Sequence, residues 1–376
     1  MRNKKAMTEK QLETIRRWTD LGDLRAAGDL VRALLVEDAQ DPVLWELEAR
    51  LRAGMKELDT AAYAVEQAVL QSPKSVQSLL LQAWFARELR NLDEAKDWEN
   101  AALDEAETEE DGHAVLLSQA RTLLVEAQVE IDEMVEEMAE EDEDVPEVMQ
   151  IPDELVEIFQ DGLEALGDIL DDDPEHAEAW ALEADFYSLM NQSEKAVESR
   201  NRALECVPEK MAWLHAQAEE MERIEEGEKA CALYRRLFAL EQKALKEAKT
   251  PYGLFFELQE FSAMCAKAWQ ELEGYIREEG VTLDFSVVCE PMPSEELIEE
   301  AIPEEPFDPW TAFHLVIEPR DIGRDLIKIT LFQRNVERFW REGGDVSMHE
   351  MLLDILDDAA APAILLADGN ELFDQE

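Results

Sequence analysis

The chain has 376 residues, 46% hydrophobic and 33% charged, with 14 glycines and 14 prolines. At that length two domains are expected, and the composition favours long helices around a real core over sandwiches or barrels. The 90 acidic and 35 basic side chains leave a formal net charge of -55, which repels phosphate backbones and anionic bilayers and attracts basic proteins, so no nucleic-acid and no membrane partner is expected.

The opening MRNKKAMTEKQLETIRRW carries basic residues with no apolar stretch behind them, unlike a secretory leader. No apolar run reaches the ~18 residues of a membrane span. Cys206, Cys231, Cys265 and Cys289 lie far apart without a C-x-x-C pair. They read as small buried hydrophobes in a reducing compartment, so a cytoplasmic location is expected.

The first elements in the chain are repeated helical pairs. One unit, WELEARLRAGMKELDTAAYAVEQAVLQSP, begins at Trp45, and a second, WALEADFYSLMNQSEKAVESRNRALECVP, begins at Trp180. Counted from each tryptophan, alanines fall at offsets 4, 16 and 23 (Ala49, Ala61, Ala68; Ala184, Ala196, Ala203) and a proline at 28 (Pro73; Pro208). Alanine on facing positions lets two antiparallel helices approach closely, and the proline ends the second helix. A step of 34 residues leads from Trp45 to Leu79, with Ala83, Ala95 and Ala102, and from Trp180 to Leu214, with Ala218 and Ala230. Ala27 and Val31 fit the second helix of an earlier unit. GLEALGDILDDDP fits another, with Gly162 in place of alanine.

These units resemble the tetratricopeptide repeat, a helix–turn–helix of 34 residues. The array is expected over residues 8–248, with an acidic insertion near 104–150. That span holds DEAETEEDG, a helical stretch to about Met138, and EEMAEEDEDVPEVMQIP, read as a solvated linker, an extended surface helix or an acidic docking tail. In the resembled family the groove-facing positions lie 1, 5 and 8 residues after the tryptophan position. They fall here on Glu46, Arg50, Ala53; Leu80, Trp84, Arg87; Ala181, Asp185, Ser188; and His215, Glu219, Glu222. The partner-binding candidates are Arg50, Trp84, Arg87, Asp185, His215 and Glu219. Arg50, Trp84 and Arg87 read either as a basic-aromatic patch for a peptide or carboxylate or as local packing with locally paired arginines.

After KTPYG the pattern changes. A helix is expected over Leu254–Glu279, carrying Phe255, Leu258, Phe261, Cys265, Trp269, Leu272 and Ile276 on one face. VTLDFSVVCEP reads as a strand, SEELIEEA as a short helix with a capping serine, and TAFHLVIEP and LIKITLFQR as two more strands. NVERFWR begins a helical turn, and a last helix runs from Ser347 until Pro362 stops it. Residues 251–376 thus form a small α+β domain.

That order, with VVCEPMPSEELIEE and ITLFQRNVERF, resembles a small bacterial zincin-like metallopeptidase family. The resemblance implies an HExxH helix about 20 residues after the ITLFQRNVER phrase, which falls on Asp357, Asp358, Ala359, Ala360 and Ala361. Both imidazoles of such a zinc site are missing. His349-Glu350 does not replace them, because Leu353 stands where the second histidine belongs. Asp354, Asp357 and Asp358 lack the loop of oxygens that calcium takes. Phosphate-loop, dinucleotide and serine-hydrolase motifs are absent as well, so no catalytic residue, metal or cofactor is assigned. Arg320, Arg324, Lys328, Arg334, Arg338 and Arg341 make a locally basic stretch that faces the acidic array, an acidic partner or solvent.

The expected fold is therefore mainly α, a tetratricopeptide-like solenoid followed by a degenerate zincin-like α+β domain. The expected function is a non-catalytic cytoplasmic scaffold that holds or inhibits a protein client, a basic protein or an enzyme kept inactive. Two alternatives are a metal-dependent peptidase with relocated ligands and an acidic nucleic-acid mimic that binds a basic protein.

Overall fold

A computed structural model describes residues 7–140, 152–278, 284–318, 326–342 and 346–367. Its first twelve helices pair in chain order as six hairpins. They are α1 (Glu9–Asp20) with α2 (Leu24–Glu37), α3 (Pro42–Gly54) with α4 (Leu58–Gln71), and α5 (Val76–Glu88) with α6 (Leu92–Glu105). Then come α7 (Glu109–Glu140) with α8 (Asp153–Asp172), α9 (Ala177–Leu189) with α10 (Ser193–Cys206), and α11 (Met211–Arg223) with α12 (Gly227–Leu245).

The periodic alanines form the seams. Ala49, Ala61 and Ala68, Ala83, Ala95 and Ala102, Ala184, Ala196 and Ala203, and Ala218 and Ala230 are all buried. With nothing beyond Cβ, each lets the facing helix approach closely. A second periodicity sits in the turns. Gly22, Lys56 and Arg90, and then Asn191 and Glu225, stand 34 apart within each group and all have positive φ. Each ends the first helix of its hairpin, and the next residue donates back to the helix: Asp23 N to Trp18 O, Glu57 N to Arg52 O, Asn91 N to Ala86 O, Gln192 N to Tyr187 O and Glu226 N to Met221 O. This left-handed helix stop satisfies carbonyls that would otherwise be orphaned. Lysine, arginine and glutamate do not favour that conformation, so the turn is imposed by packing rather than by local preference.

The span expected as an acidic insertion contains most of the fourth hairpin. α7 has 32 residues and α8 has 20, against 13 or 14 in the neighbouring hairpins α5–α6 and α9–α10. Val115, Leu117, Ala120 and Ala127 of α7 are buried, and α7 packs on α5, α6, α8 and α9. Residues 141–151 of the acidic run lie outside the described residues. Gly162 takes the alanine position in α8 because the Phe186 ring fills the space a Cβ would occupy. Phe186 is fully buried and meets Phe159 edge-on at 6.3 Å.

The rest of the chain comprises α13 (Leu258–Glu278), β1 (Asp284–Glu290), α14 (Glu295–Glu300), β2 (Phe313–Glu318), β3 (Leu326–Phe332), α15 (Gln333–Glu342) and α16 (Met348–Ala367). The sheet order is β1-β3-β2. β1 runs parallel to β3 with Val287 opposite Ile329, and β2 runs antiparallel with Leu315 opposite the same residue. α13 and α16 cover the sheet, burying Phe261, Cys265, Leu352 and Leu356 against Ile327, Ile329 and Leu331.

Two boundaries differ from expectation. α13 starts at Leu258 rather than Leu254, because the buried Glu337 carboxylate accepts from Phe255 N (2.6 Å) and Phe256 N (2.9 Å) and draws that segment out of helical register. α16 passes through Pro362 instead of ending there. Proline removes one N–H, and at this exposed position the carbonyl it frees faces water.

The C-terminal region closes the array end to end. The turn between α1 and α2 meets the segment after α12: Asp23 Oδ2 accepts from Lys249 N (2.9 Å) and Thr250 N (3.0 Å), and Arg17 pairs with Glu247. From α15, Arg334 donates to Glu241 (3.0 Å), Leu21 O (2.8 Å) and Tyr252 O (2.8 Å), Arg338 to Glu241 (2.9 Å) and Arg341 to Gly22 O (3.0 Å). Three cations of the basic stretch therefore face the array, while Arg320 and Arg324 lie outside the described residues.

Candidate protein-interaction groove

The helix α7 packs on both α5 and α9. Between them lies a groove of about 340 Å3 lined by Arg90, Leu124, Val125, Gln128, Asp185 and Leu189. Its floor is aliphatic and its edges carry a cation, an amide and a carboxylate. That pattern suits an extended peptide, with apolar anchors for affinity and polar groups for orientation.

The six residues expected to bind a partner fall into four settings. Arg50 lies 4.6 Å over the Trp84 ring and pairs with Glu46 at 3.0 Å, so these two do meet across α3 and α5. Arg87 turns inward instead. Its guanidinium donates to Glu99 (2.7 Å), Ser118 Oγ (3.0 Å) and Thr122 Oγ1 (2.8 Å), and burial lowers its pKa against the opposing pull of Glu99. Asp185 sits in the central groove and accepts from Arg200 at 2.9 Å; burial raises its carboxyl, with Arg200 acting the other way.

His215 and Glu219 are engaged by the chain itself. The segment between α14 and β2 lies over α11. Trp310 stacks on the His215 ring at 4.5 Å and 19°, Asp308 reaches His215 Nε2 at 3.1 Å, and Glu219 reaches Nδ1 at 3.3 Å. Arg338 covers the other part of Trp310 at 3.6 Å. Tyr234, which donates to Glu222, borders the same ring. At this end, an acidic-aromatic segment of the chain lies on positions that the sequence assigns to a partner.

The charge on His215 makes this contact sensitive to pH. Burial by itself lowers the imidazole, but the hydrogen bonds to Asp308 and Glu219 outweigh it and raise His215 from 6.5 to about 9. A raised folded-state value stabilises the contact fully below pH 6.5, and that contribution is lost as pH rises through about 9. An NMR titration of the histidine side chains is expected to place the His215 midpoint near 9, and Asp308→Asn to move it down. A wild-type midpoint at or below 6.5 would refute the pairing.

The linings that sequence reading missed are Leu124, Val125 and Gln128 on α7, and Asp308 with Trp310. The 34-residue count fails at α7 because that helix is too long for the period. FDPW stood in an unassigned loop between predicted elements. On α16, Asp357 and Ala361 are exposed, while Ala359 and Ala360 are buried in the core. His349 Nε2 meets Glu271 at 3.0 Å. Among the described residues no metal-ligand cluster lies on α16.

No family model and no curated protein matches the chain. Among solved structures, the chain is similar to PilW, described as a widely conserved type IV pilus biogenesis factor, at 15% identity over 64% of this chain and 100% of that one, with a TM-score of 0.40. It is also similar to a tetratricopeptide repeat protein from Parabacteroides merdae, at 12% identity over 65% of this chain and 86% of that one, with a TM-score of 0.42.

Proposed function

We propose that this chain is a non-catalytic protein-binding scaffold that holds a client segment in the groove lined by α7, α9 and the turn after α5. The observation that carries this reading is the Asp308–Trp310 segment laid over α11. One end of the first-helix face already accepts an extended segment through an aromatic stack and charge-assisted hydrogen bonds. The groove on α7 and α9 offers aliphatic anchors in Leu124, Val125 and Leu189 beside the charges of Arg90 and Asp185. A basic protein fits the overall charge of -55, and an enzyme held inactive fits a scaffold with no catalytic constellation of its own.

The C-terminal domain acts in this reading as a structural closure. Its degenerate zincin-like character is supported by the expected order of helices and strands and by the exposed Asp357 and Ala361, which offer no imidazole pair. It positions Asp308 and Trp310 and locks the two ends of the array together.

The test is affinity capture from the native host at modest salt, with wild type and a Leu124→Arg, Leu189→Arg variant side by side. A discrete partner retained by wild type and lost by the variant is expected. Equal recovery by both, or no discrete partner, would overturn the groove as the binding surface.

A further inference from the structure

The open end of the fourth hairpin carries a cluster that the scaffold reading does not use. Glu109 and His113 stand four residues apart on the first turns of α7, and Asp172 closes the last turn of α8. One ligand atom from each lies within 4.8 Å of the other two. His113 Nε2 already meets Asp172 Oδ2 at 3.3 Å. The three face a crevice that also contains Glu110, Asp173 and His176. The chain has five histidines, and two of them meet here edge-on at 6.5 Å.

We propose that Glu109, His113 and Asp172 form a binding site for a divalent transition-metal cation of the zinc class, which clamps the start of α7 to the end of α8. Zinc bonds of about 2.0–2.2 Å to nitrogen and oxygen fit a triangle of this size once the exposed Glu109 side chain rotates inward. The donor set is one imidazole and two carboxylates. The imidazole selects against magnesium and calcium, which prefer all-oxygen shells, and the two carboxylates neutralise a dication. Water completes the shell on the open side, so the site is exchangeable. His176 is a wall of the site and not a ligand. Its Nδ1 accepts from Ala179 N at 3.2 Å, which leaves the proton on Nε2.

The position of the site gives it a mechanical role. His113 and Asp172 are 59 residues apart in sequence, and they lie near the start of α7 and at the end of α8, away from Glu140 and Asp153. A bond across the open end closes a long loop, the situation in which a metal clip gains most from chain entropy. The same hairpin supplies Leu124, Val125 and Gln128 to the groove, so the clamp holds one wall of the proposed binding surface. This link rests on the groove reading; the metal site itself does not.

Binding is measured with Zn2+ by calorimetry on the full chain in excess Mg2+, which occupies the diffuse acidic surface. His113→Ala and Glu109→Gln are compared with wild type; the second alters only an exposed first-turn residue and leaves the fold intact. One Zn2+ equivalent in wild type, lost or weakened by more than about tenfold in both variants, is expected, together with a Zn2+-dependent rise in melting temperature in wild type alone. Equal Zn2+ binding by wild type and both variants, or displacement of all Zn2+ by Mg2+, would overturn the site, whatever the outcome of the partner-capture experiment.

Discussion

Replacing Glu241 by leucine is expected to destabilise the protein by about 3–5 kcal/mol, the cost of removing one partner from a buried ion pair. Glu241 is fully buried on α12 and holds both Arg334 and Arg338 of α15. Without it, the Arg334 guanidinium is left buried against the neutral carbonyls of Leu21 and Tyr252. Those contacts tie the first hairpin, the last hairpin and the C-terminal domain at one point, so the loss falls on closure of the whole array. Chemical denaturation should show a lowered midpoint, and limited proteolysis should show new cleavage between residues 249 and 258. Glu241→Gln keeps an acceptor in place and is expected to lose about 1–3 kcal/mol. A Glu241→Leu protein within about 0.5 kcal/mol of wild type, the range of neutral surface substitutions, would mean that closure does not depend on this junction.

Glu99→Leu is the second large effect, again about 3–5 kcal/mol. Glu99 Oε1 accepts from Arg87 and from the hydroxyls of Ser118 and Thr122, all at 2.7 Å. These groups join α5, α6 and α7, the point where the third hairpin passes to the long fourth one. The double substitution Arg87→Met, Glu99→Leu is expected to recover much of the loss, because an apolar pair in place of a buried ion pair is often close to neutral. Urea unfolding of both singles and the double measures this directly. The cycle also separates two roles for Arg87. A structural guanidinium loses stability and leaves client affinity unchanged in the stabilised double variant, whereas a partner-contacting one loses affinity there too.

The helical hairpins were legible because alanine carries a geometric message. At offsets 4, 16 and 23 only a small side chain allows the facing helices their approach, so the period survives even where the surrounding residues diverge. The three strands were equally readable, since β-branched and aromatic runs, two of them ending at Pro291 and Pro319, have few other uses. The capping Ser294 marked α14 for the same local reason, as its hydroxyl accepts from Leu297 N.

What the sequence did not reveal depends on residues distant in the chain. α7 looked like an insertion because its acidic surface hides a buried stripe that α5, α6, α8 and α9 complete. The start of α13 was set by Glu337, about eighty positions later in the chain. Arg50 and Arg87 both fall on expected groove-facing positions, at offsets 5 and 8, yet one lies over Trp84 and the other is buried on Glu99, a choice made by neighbouring helices. Local periodicity thus determined which segments are helices and strands, because propensity and spacing act within a few turns. Tertiary packing alone decided that α15 arginines join the two ends of the array, that Trp310 lies on His215, and that Glu109, His113 and Asp172 converge. Those outcomes depend on burial and charge pairing between segments that the linear order keeps apart.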